Sequence, residues 1–166
     1  MTCADLTVTG DQLKAAVGTF PSGVTIVTTR SEGEDVGLTV SAFSSLSLDP
    51  AMVVLSVANS STSLPHLTVG APVGVSVLAE GQGGLARQFS VRGIDRFAGV
   101  DLVRRGRGVA LIDGAAAWFA GEIVNAFPGG DHTILTISVA ECGTGDDARP
   151  LLYQRGRTHD WAADAS

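Results

Sequence analysis

The chain has 166 residues, a formal net charge of −6 and a sequence pI near 4.8; 45% of its residues are hydrophobic and only 17% are charged. A chain of this length can bury a core without disulfides or metal ions, so we expect one domain over residues 1–166. The acidic balance argues against nucleic acid as a partner, because a phosphate backbone is held by a basic face. The low fraction of charged residues favours an oligomer.

Targeting and metal-binding signals are missing from the sequence. No apolar run approaches the roughly 18 residues needed to span a bilayer, and the N-terminus lacks a basic region followed by a hydrophobic one. We therefore expect a cytoplasmic protein. Cys3 and Cys142 lie far apart, and His66, His132 and His159 are scattered, so we predict neither a disulfide nor a metal site.

The first predicted elements are a helix and a strand. Asp11 is a candidate cap for a short helix, which Pro21 and Gly23 end. Apolar residues recur in it at helical spacing: Leu13, Ala16, Val17 and Phe20. The segment Val24–Thr29 is almost entirely β-branched, which predicts a strand, and the polar Arg30–Asp35 predicts the following turn.

The next stretch, Gly37–Pro50, reads GLTVSAFSSLSLDP. It predicts a strand whose end presents hydroxyl groups and free backbone N–H groups, and Asp49-Pro50 predicts the turn after it. Two interpretations fit these residues alone. The stretch either binds an anion such as a cofactor phosphate, or forms a Ser/Thr-rich edge strand that binds nothing.

The middle of the chain alternates strands and short helices. Met52–Ala58 and Val73–Leu78 predict strands, and Pro65 is well placed in the first turn of a short helix between them. A second helix is predicted within Gly81–Ser90. The Arg- and Gly-rich segment Val91–Gly108 has weak periodicity and predicts a long loop with little regular structure.

The last third predicts hairpin-connected strands. Asp113-Gly114 is typical of a hairpin turn, and the next turn is predicted at Pro128–Asp131. The strands predicted around these turns are Val109–Ile112, Ala115–Ala126, His132–Ala140 and a final short one at Leu151–Tyr153. Mostly hairpin-connected strands with a few irregularly placed helices predict a mainly β fold, an antiparallel barrel or sandwich.

One motif suggests a dinucleotide site of another fold. Gly81–Ala86 matches the pattern G-x-G-x-x-G/A after a strand, and Asp101 lies about 20 residues further on. A Rossmann unit, however, needs a second buried parallel strand ending at that acid, and the residues before it read VRGIDRFAGV. We interpret the glycines as an ordinary loop between a strand and a helix.

Acid–base and nucleophilic catalysis have little support. The chain has no G-x-S-x-G elbow, and nothing pairs a particular Ser or Cys with a His base. Hydride transfer makes smaller demands, because the cofactor supplies the chemistry and the protein must only stack a nicotinamide against a flavin. Such a protein needs a polar cradle for a phosphate and a flat slot lined by backbone, and small residues at strand ends provide both.

The blocks that carry a family resemblance occur in this order: FPSGVTIVTT, GLTVSAFSSLSLDP, NSSTS, VGVSVLAEGQGGLARQFS, DRFAG, GGDHTILTISV and RPLLYQRG. Together, from Phe20 to Gly156, they resemble the flavin reductase family with the FMN-binding split-barrel fold. The resemblance implies an antiparallel split β-barrel of Greek-key type with a few short helices. It further implies an NAD(P)H:flavin oxidoreductase, using FMN or FAD and NADH or NADPH, that forms a homodimer and serves a partner monooxygenase.

The resemblance also implies site residues. The flavin-contacting stretch matches Thr39, Val40, Ser41, Ala42 and Phe43, with Ser44 and Ser45 just beyond. The strand end whose backbone faces the isoalloxazine matches Ser56, Val57 and Ala58. Ser61 and Ser63 match the positions that hold the FMN phosphate or ribityl chain, and the N-terminus of the following helix can add N–H donors there. Phe89 and Ser90 match the segment that closes over the flavin.

The G-D-H motif of the family matches Gly130, Asp131 and His132, after Gly129. The resemblance implies that His132 approaches the nicotinamide and positions it or shields the hydride, without moving a proton. Without the resemblance, the residue itself favours an inert, half-exposed histidine that ends a hairpin turn.

Other positions leave alternatives open. Arg96 in the D-R-F element Asp95-Arg96-Phe97 either reaches a phosphate or ties the loop down through an ion pair. The arginines Arg92, Arg104, Arg105 and Arg107 are interpreted as solvated loop charges. Asn59 and Thr62 stand where the family often has a basic residue, which leaves the choice between FMN and FAD open.

Two other functions compete with the reductase. The first is a non-catalytic FMN-binding module of the same fold, acting as a carrier or sensor. The second is a β-barrel that binds no flavin and whose serines are structural.

Overall fold

The computed structural model describes residues 8–161 and consists mainly of antiparallel strands. Within that range it has the helices α1 (Gly10–Val17) and α2 (Gly83–Gln88) and a 3-10 helix, Leu64–His66. The strands β1 to β12 are, in order, Ser22–Gly23, Thr25–Ser31, Glu34–Val40, Phe43–Leu48, Ala51–Ala58, Pro72–Val77, Leu102–Arg105, Val109–Ile112, Ala117–Gly129, His132–Thr144, Leu152–Gln154 and Arg157–His159. The predicted mainly β, antiparallel fold is confirmed.

Seven strands form one sheet in the order β3-β2-β6-β9-β10-β5-β4. Its two edge strands, β3 and β4, are consecutive in the chain and are joined only by Ser41 and Ala42. The sheet must therefore curve until its edges meet, as in a barrel with a seam. The Ser56 backbone N–H donates to the Ala42 carbonyl at 3.0 Å and ties the seam to β5.

The prediction of a single strand over Gly37–Pro50 is wrong. The chain leaves β3 after Val40, passes the seam and returns as β4, which pairs with β5 in an antiparallel hairpin. No Gly or Pro marks the break at Ser41 and Ala42, so local sequence gives no sign of it.

The core has two parts, which meet at β2. Alternate residues of a strand point to opposite faces, and β2 is covered on both. Val27 packs into a cluster with Val75 and Leu135, whereas Ile26 packs into a second cluster with Phe89 and Leu151. The β-branched run that predicted this strand is therefore buried on both sides.

The first helix differs from its prediction. Thr9, not Asp11, is the N-cap, and it forms a capping box with Gln12. The helix ends at Val17, before the predicted stop at Pro21, and none of its residues is buried. Its apolar stripe stays in solvent in the single chain, with Val17 60% exposed.

Two predictions in the last third are also wrong. Part of the segment predicted as loop forms β7, which pairs with β8 across a turn containing Gly106 and Gly108, both at positive φ. Asp113-Gly114 is a turn but not a hairpin, because β9 pairs with β6 and β10 instead of β8. The Asp113-Gly114 dipeptide marks a change in chain direction. It does not determine which strand pairs with β8, because that choice depends on tertiary packing, and all four residues of β8 are buried.

The Rossmann pattern has no Rossmann surroundings. The strand before it, β6, is antiparallel to both of its neighbours, β2 and β9, and α2 has only six residues. Of the glycines in the pattern, Gly81 lies in the turn before α2 at a positive φ, as predicted for a loop, whereas Gly83 and Gly84 are the first residues of α2. Among residues 8–161 no helix has the length and apolar character needed to cross a membrane. Cys142 is a free, exposed thiol, and Cys3 lies outside the described residues.

Candidate active site

A narrow cleft of about 270 Å³ opens at the barrel seam. It is lined from the seam by the end of β3 and its link to β4, and from the neighbouring strand by the end of β5. The opposite wall comes from the segment after α2, and His132 at the start of β10 closes one side. Three strand ends and one loop thus converge at this cleft. Backbone N–H and C=O groups at strand ends are free to contact a ligand.

Most of the predicted cofactor residues line this cleft. They are Thr39, Val40, Ser41, Ala42, Ser56, Val57, Ala58, Ser61, Phe89, Ser90 and His132. Phe43 and Ser44 line a second, larger cleft instead. Ser45, Ser63, Gly130 and Asp131 line neither of the two.

The larger cleft, about 1180 Å³, lies between α1, β4, β5 and the turn from β11 to β12. Ser41, Ala42 and Ser56 line both clefts, so the two clefts adjoin at the seam.

Several predicted hydroxyl groups are already engaged within the protein. Thr39 Oγ1 donates to the Ala86 carbonyl at 2.6 Å, which fastens α2 to β3. Ser63 is only 3% exposed, and its Oγ lies 3.4 Å from the Gly37 carbonyl and 3.0 Å from Arg96 Nη1. Ser63 therefore braces the cleft wall from behind. Ser61 stands nearer the opening, where its Oγ accepts from the Ser63 backbone N–H.

Phe89 forms the floor of the narrow cleft. Its side chain is fully buried and meets the Phe97 ring edge-on, with centroids 5.0 Å apart. The two rings fit because residue 37 is glycine: a Cβ there would lie 2.7 Å from Phe89 Cε1 and 2.9 Å from Phe97 Cζ. The D-R-F element is thus packed against β3 through its phenylalanine.

Two guanidinium groups, from Arg92 and Arg96, line the narrow cleft. Arg96 donates through Nη1 to the Gly37 carbonyl at 2.6 Å and through Nε to the Val91 carbonyl at 2.8 Å. Arg92 donates through Nη2 to the Ser60 carbonyl at 3.0 Å. Among residues 8–161 neither arginine forms a salt bridge.

Arg96 ties its loop down through two backbone carbonyls and Ser63, and not through an ion pair with Asp95. Asp95 instead accepts from the Phe97 backbone N–H. Burial, and then the charge of Arg92, lower the pKa of Arg96. Two cations without carboxylate partners create a positive potential that favours an anion.

Arg92 is the functional candidate that sequence reasoning missed, because it was interpreted as a solvated loop charge. Its spacing of four residues from Arg96 was the available signal. That signal was weak, since the loop between them has no regular periodicity.

His132 and Asp131 form a pair at the edge of the cleft. His132 Nδ1 lies 2.6 Å from Asp131 Oδ1, and the His132 side chain is 42% exposed. The hydrogen bond to His132 and its charge lower the pKa of the Asp131 carboxyl. With Nδ1 engaged, Nε2 is the ring nitrogen left for other contacts. In the part of the chain that the structure describes, no group of three or more His, Cys, Asp and Glu side chains could hold a metal ion.

Comparisons with known proteins agree on one family. The family model described as Flavin reductase like domain matches residues 17–162. The reductase component of 4-hydroxyphenylacetate 3-monooxygenase from Thermus thermophilus is 37% identical over 147 residues, which cover 88% of this chain and 93% of that protein. The NADH-dependent FAD reductase of Streptomyces globisporus is 36% identical over 159 residues, covering 93% and 87%.

Solved structures give the same result. The NADH:FAD oxidoreductase of Streptomyces globisporus C-1027, in complex with NAD and FAD fragments, superposes with a TM-score of 0.87 at 36% identity, covering 94% of both chains. The chain spans about half the length of one relative, the reductase component of a flavin-dependent trigonelline monooxygenase from Acinetobacter baylyi, which is 35% identical over 87% of this chain and 47% of that protein. The chain therefore belongs to the flavin reductase family, and both the predicted resemblance and the predicted enzyme class are confirmed.

Proposed function

We propose that the chain transfers hydride from NADH or NADPH to FMN or FAD and passes the reduced flavin to a partner monooxygenase. The observation that carries this proposal is the pair of adjoining clefts at the barrel seam, one of which is lined by strand ends, His132 and two arginines that form no salt bridge within residues 8–161. A bound flavin would supply the hydride acceptor, its N5, and a nicotinamide the hydride. The protein's part is to bind, orient and exclude water.

The available space fits two cofactors only if both clefts are used. A cleft of about 270 Å³ is small compared with usual ligand pockets of roughly 300–1,000 Å³, whereas the adjoining one is about 1180 Å³. The junction at Ser41, Ala42 and Ser56 is the natural place for the flavin ring. It offers small side chains and backbone edges, which allow a flat ring to lie close.

The phosphate end of the flavin fits the narrow cleft. Arg92 lines it with a guanidinium that, in the described part of the chain, donates to the Ser60 carbonyl alone, and Ser61 adds a hydroxyl. Arg96 contributes charge, although Nη1 and Nε are occupied by carbonyls. Phosphate oxygens accept charge-assisted hydrogen bonds from such donors, and these are roughly twice as strong as neutral ones.

His132 is assigned to the nicotinamide. It stands at the rim of the narrow cleft, opposite the end of β5, where its register partner is Ala58. The Asp131 carboxylate holds Nδ1 and leaves Nε2 for the dinucleotide. In this position the imidazole can orient the carboxamide and keep water from the transferred hydride, and no proton transfer is needed.

A homodimer is part of the proposal. Three apolar side chains on and after α1 are exposed in the single chain: Leu13 (57%), Val17 (60%) and Phe20 (76%). Val17 and Phe20 also line the larger cleft, and clustered exposed apolar residues are typical of a protein interface. A second copy placed there would cover α1 and enclose the flavin site. The cytoplasm remains the predicted compartment.

Mixing the purified protein with NADH and FMN, or with FAD, and following absorbance at 340 nm tests the function. Oxidation that scales with protein and with added flavin supports the reductase. Tight flavin binding without NADH oxidation would instead indicate a non-catalytic flavin-binding module. Failure to bind any flavin would contradict both the reductase and the flavin-binding module, and would indicate a barrel whose serines are structural.

A further inference from the structure

Asn59, the residue directly after β5, is hydrogen-bonded to the turn that carries His132. Its side-chain Nδ2 donates to the Gly130 carbonyl at 3.3 Å, and its Oδ1 accepts from Thr133 Oγ1 at 2.8 Å. Its backbone N–H donates to the Asp131 carbonyl at 2.9 Å. One residue thus contacts the residues on both sides of His132.

These contacts extend the pairing of β10 with β5, which ends at His132 and Ala58, into the turn itself. Gly130 and Asp131 form the two-residue connection between β9 and β10, and Gly130 adopts a positive φ of 69°. The end of such a hairpin frays readily, since its residues are exposed and have few buried contacts. The Asn59 side chain fastens this end to the neighbouring strand, so the turn is clamped to β5 as well as to β9.

The polar groups of Asn59 are also directed away from the cations of the narrow cleft. Both ends of its amide are engaged by the turn, and Asn59 itself does not line either cleft. The family resemblance places Asn59 where the family often has a basic residue, which leaves the choice between FMN and FAD open. The contacts point to a different role for this position.

We infer that Asn59 is a positioning residue for the nicotinamide: it clamps the turn at Gly130–Thr133 to β5 and thereby sets where the His132 imidazole stands. The Asn59 side chain acts through Gly130 and Thr133, which flank Asp131 and His132, and the Asp131 carboxylate holds His132 Nδ1. The backbone hydrogen bond from Asn59 to the Asp131 carbonyl is kept in an alanine variant. The inference rests on the proposed function, in which His132 approaches the dinucleotide. It assigns no direct contact between Asn59 and a cofactor.

The first test compares Asn59→Ala with Asn125→Ala. The Asn125 side chain on β9 donates to Thr136 Oγ1 on β10 at 3.0 Å and lines neither cleft. The control thus removes the same side chain and one hydrogen bond to β10, away from the His132 turn. We expect Asn59→Ala to raise the KM for NADH about 3- to 10-fold, as for the loss of one or two net hydrogen bonds, with the KM for flavin nearly unchanged. Asn125→Ala should leave both constants nearly unchanged.

The second test asks whether Asn59 acts through His132. In a double-mutant cycle, residues that act through one another give non-additive effects. We expect Asn59→Ala to raise the KM for NADH in the wild-type background and to add less than about twofold in the His132→Ala background. Full additivity would overturn the inference, as would an effect confined to the flavin KM.

The third test needs neither cofactor nor turnover. Ring ¹⁵N chemical shifts report which nitrogen of a histidine carries the proton, and the Asp131 contact favours the Nδ1–H form of neutral His132. We expect Asn59→Ala to shift His132 toward the tautomer mixture of a free histidine, while His66 serves as an internal reference. Unchanged His132 shifts in Asn59→Ala would contradict the clamp.

Two further measurements keep the outcomes distinct. If Asn59→Ala does not fold, judged by its thermal melt, Thr133→Val removes the 2.8 Å hydrogen bond from the other side and should shift the same constants in the same direction. If the wild-type protein does not oxidise NADH, the proposed function fails, and the ¹⁵N measurement still decides whether Asn59 positions His132. If the wild type is active but Asn59→Ala behaves like Asn125→Ala, only the inference fails.

Discussion

Ser63 and Arg96 meet behind the narrow cleft, with Oγ 3.0 Å from Nη1, and both also contact the carbonyl of Gly37. This contact gives the two arginines of the cleft different roles. Arg96 is largely committed to holding the D-R-F element against β3. Arg92, whose only side-chain hydrogen bond within the described residues is to the Ser60 carbonyl, is the freer cation.

Arg92→Ala should weaken FMN binding but not riboflavin binding, because only FMN carries the phosphate. Loss of one charge-assisted hydrogen bond corresponds to about tenfold in Kd. Flavin fluorescence titration measures both ligands. Arg30→Ala removes the same charge from an exposed site outside both clefts and should leave the FMN Kd unchanged. Equal weakening of FMN and riboflavin would contradict the assignment.

His132→Ala should raise the KM for NADH more than the KM for flavin, because the imidazole is assigned to the nicotinamide and not to the flavin. Steady-state kinetics with one substrate varied at a time separate the two constants. An unchanged KM for NADH would refute the role given to His132.

Gly37→Ala should destabilise the fold, because the new Cβ would lie 2.7 Å from the Phe89 ring and 2.9 Å from the Phe97 ring. Overpacking of this kind costs about 1–3 kcal/mol. Urea unfolding measures the loss in the free energy of unfolding. Gly23→Ala is the matched control, since a Cβ at Gly23 meets no atom within 4 Å. Equal stability of the two variants would show that the Phe89 and Phe97 rings move aside with no loss in the free energy of unfolding.

Asp131→Asn should alter stability in a pH-dependent way. The pKa of the Asp131 carboxyl is lowered in the folded protein, first by the hydrogen bond to His132 and then by its charge. A lowered folded-state pKa stabilises the protein above the unfolded-state pKa, and that contribution is lost as the pH falls through the folded value. The wild type should therefore exceed Asp131→Asn in stability near pH 6, and the difference should vanish at strongly acid pH. The effect is small because the carboxylate is exposed. A difference that grows toward acid pH would have the wrong sign.

Val17→Glu should dissociate the proposed homodimer. Val17 is 60% exposed on α1 and lines the larger cleft, so a carboxylate there would be buried without a partner at the interface. Size-exclusion chromatography with light scattering measures the mass. Val69→Glu introduces the same charge at a position that is 59% exposed and lines neither cleft, and it should remain dimeric. A Val17→Glu variant that stays dimeric would move the interface elsewhere.

The residues that sequence reasoning placed at the site are mostly those near strand ends. Thr39, Ser56, Ser61 and His132 follow or begin short apolar runs, and strand ends on one side of a barrel come together whatever the exact pairing. Ser63 and Arg92 are different. Their roles depend on contacts with segments 26 to 33 residues away, which local periodicity does not encode.

The secondary structure likewise contains elements that local sequence predicts and elements that depend on distant segments. The β-branched runs at Val24–Thr29 and Met52–Ala58 predicted strands because burial on a pleated sheet suits those side chains. The break at Ser41 and Ala42, the strand β7 and the partner of β8 were not predicted. Each depends on which edge or face a distant segment leaves uncovered.

The sequence by itself thus determined the mainly β class, the family and the kind of chemistry, because apolar patterning and ordered blocks of residues are local properties. Only the tertiary structure decided that Gly37–Pro50 spans the seam of the barrel, that Ser63 and Arg96 brace its wall, and that Asn59 clamps the His132 turn. The physical reason is that each hydrogen-bonding group can satisfy only a few partners. Which groups remain free for a ligand is known only when all the internal ones have been paired.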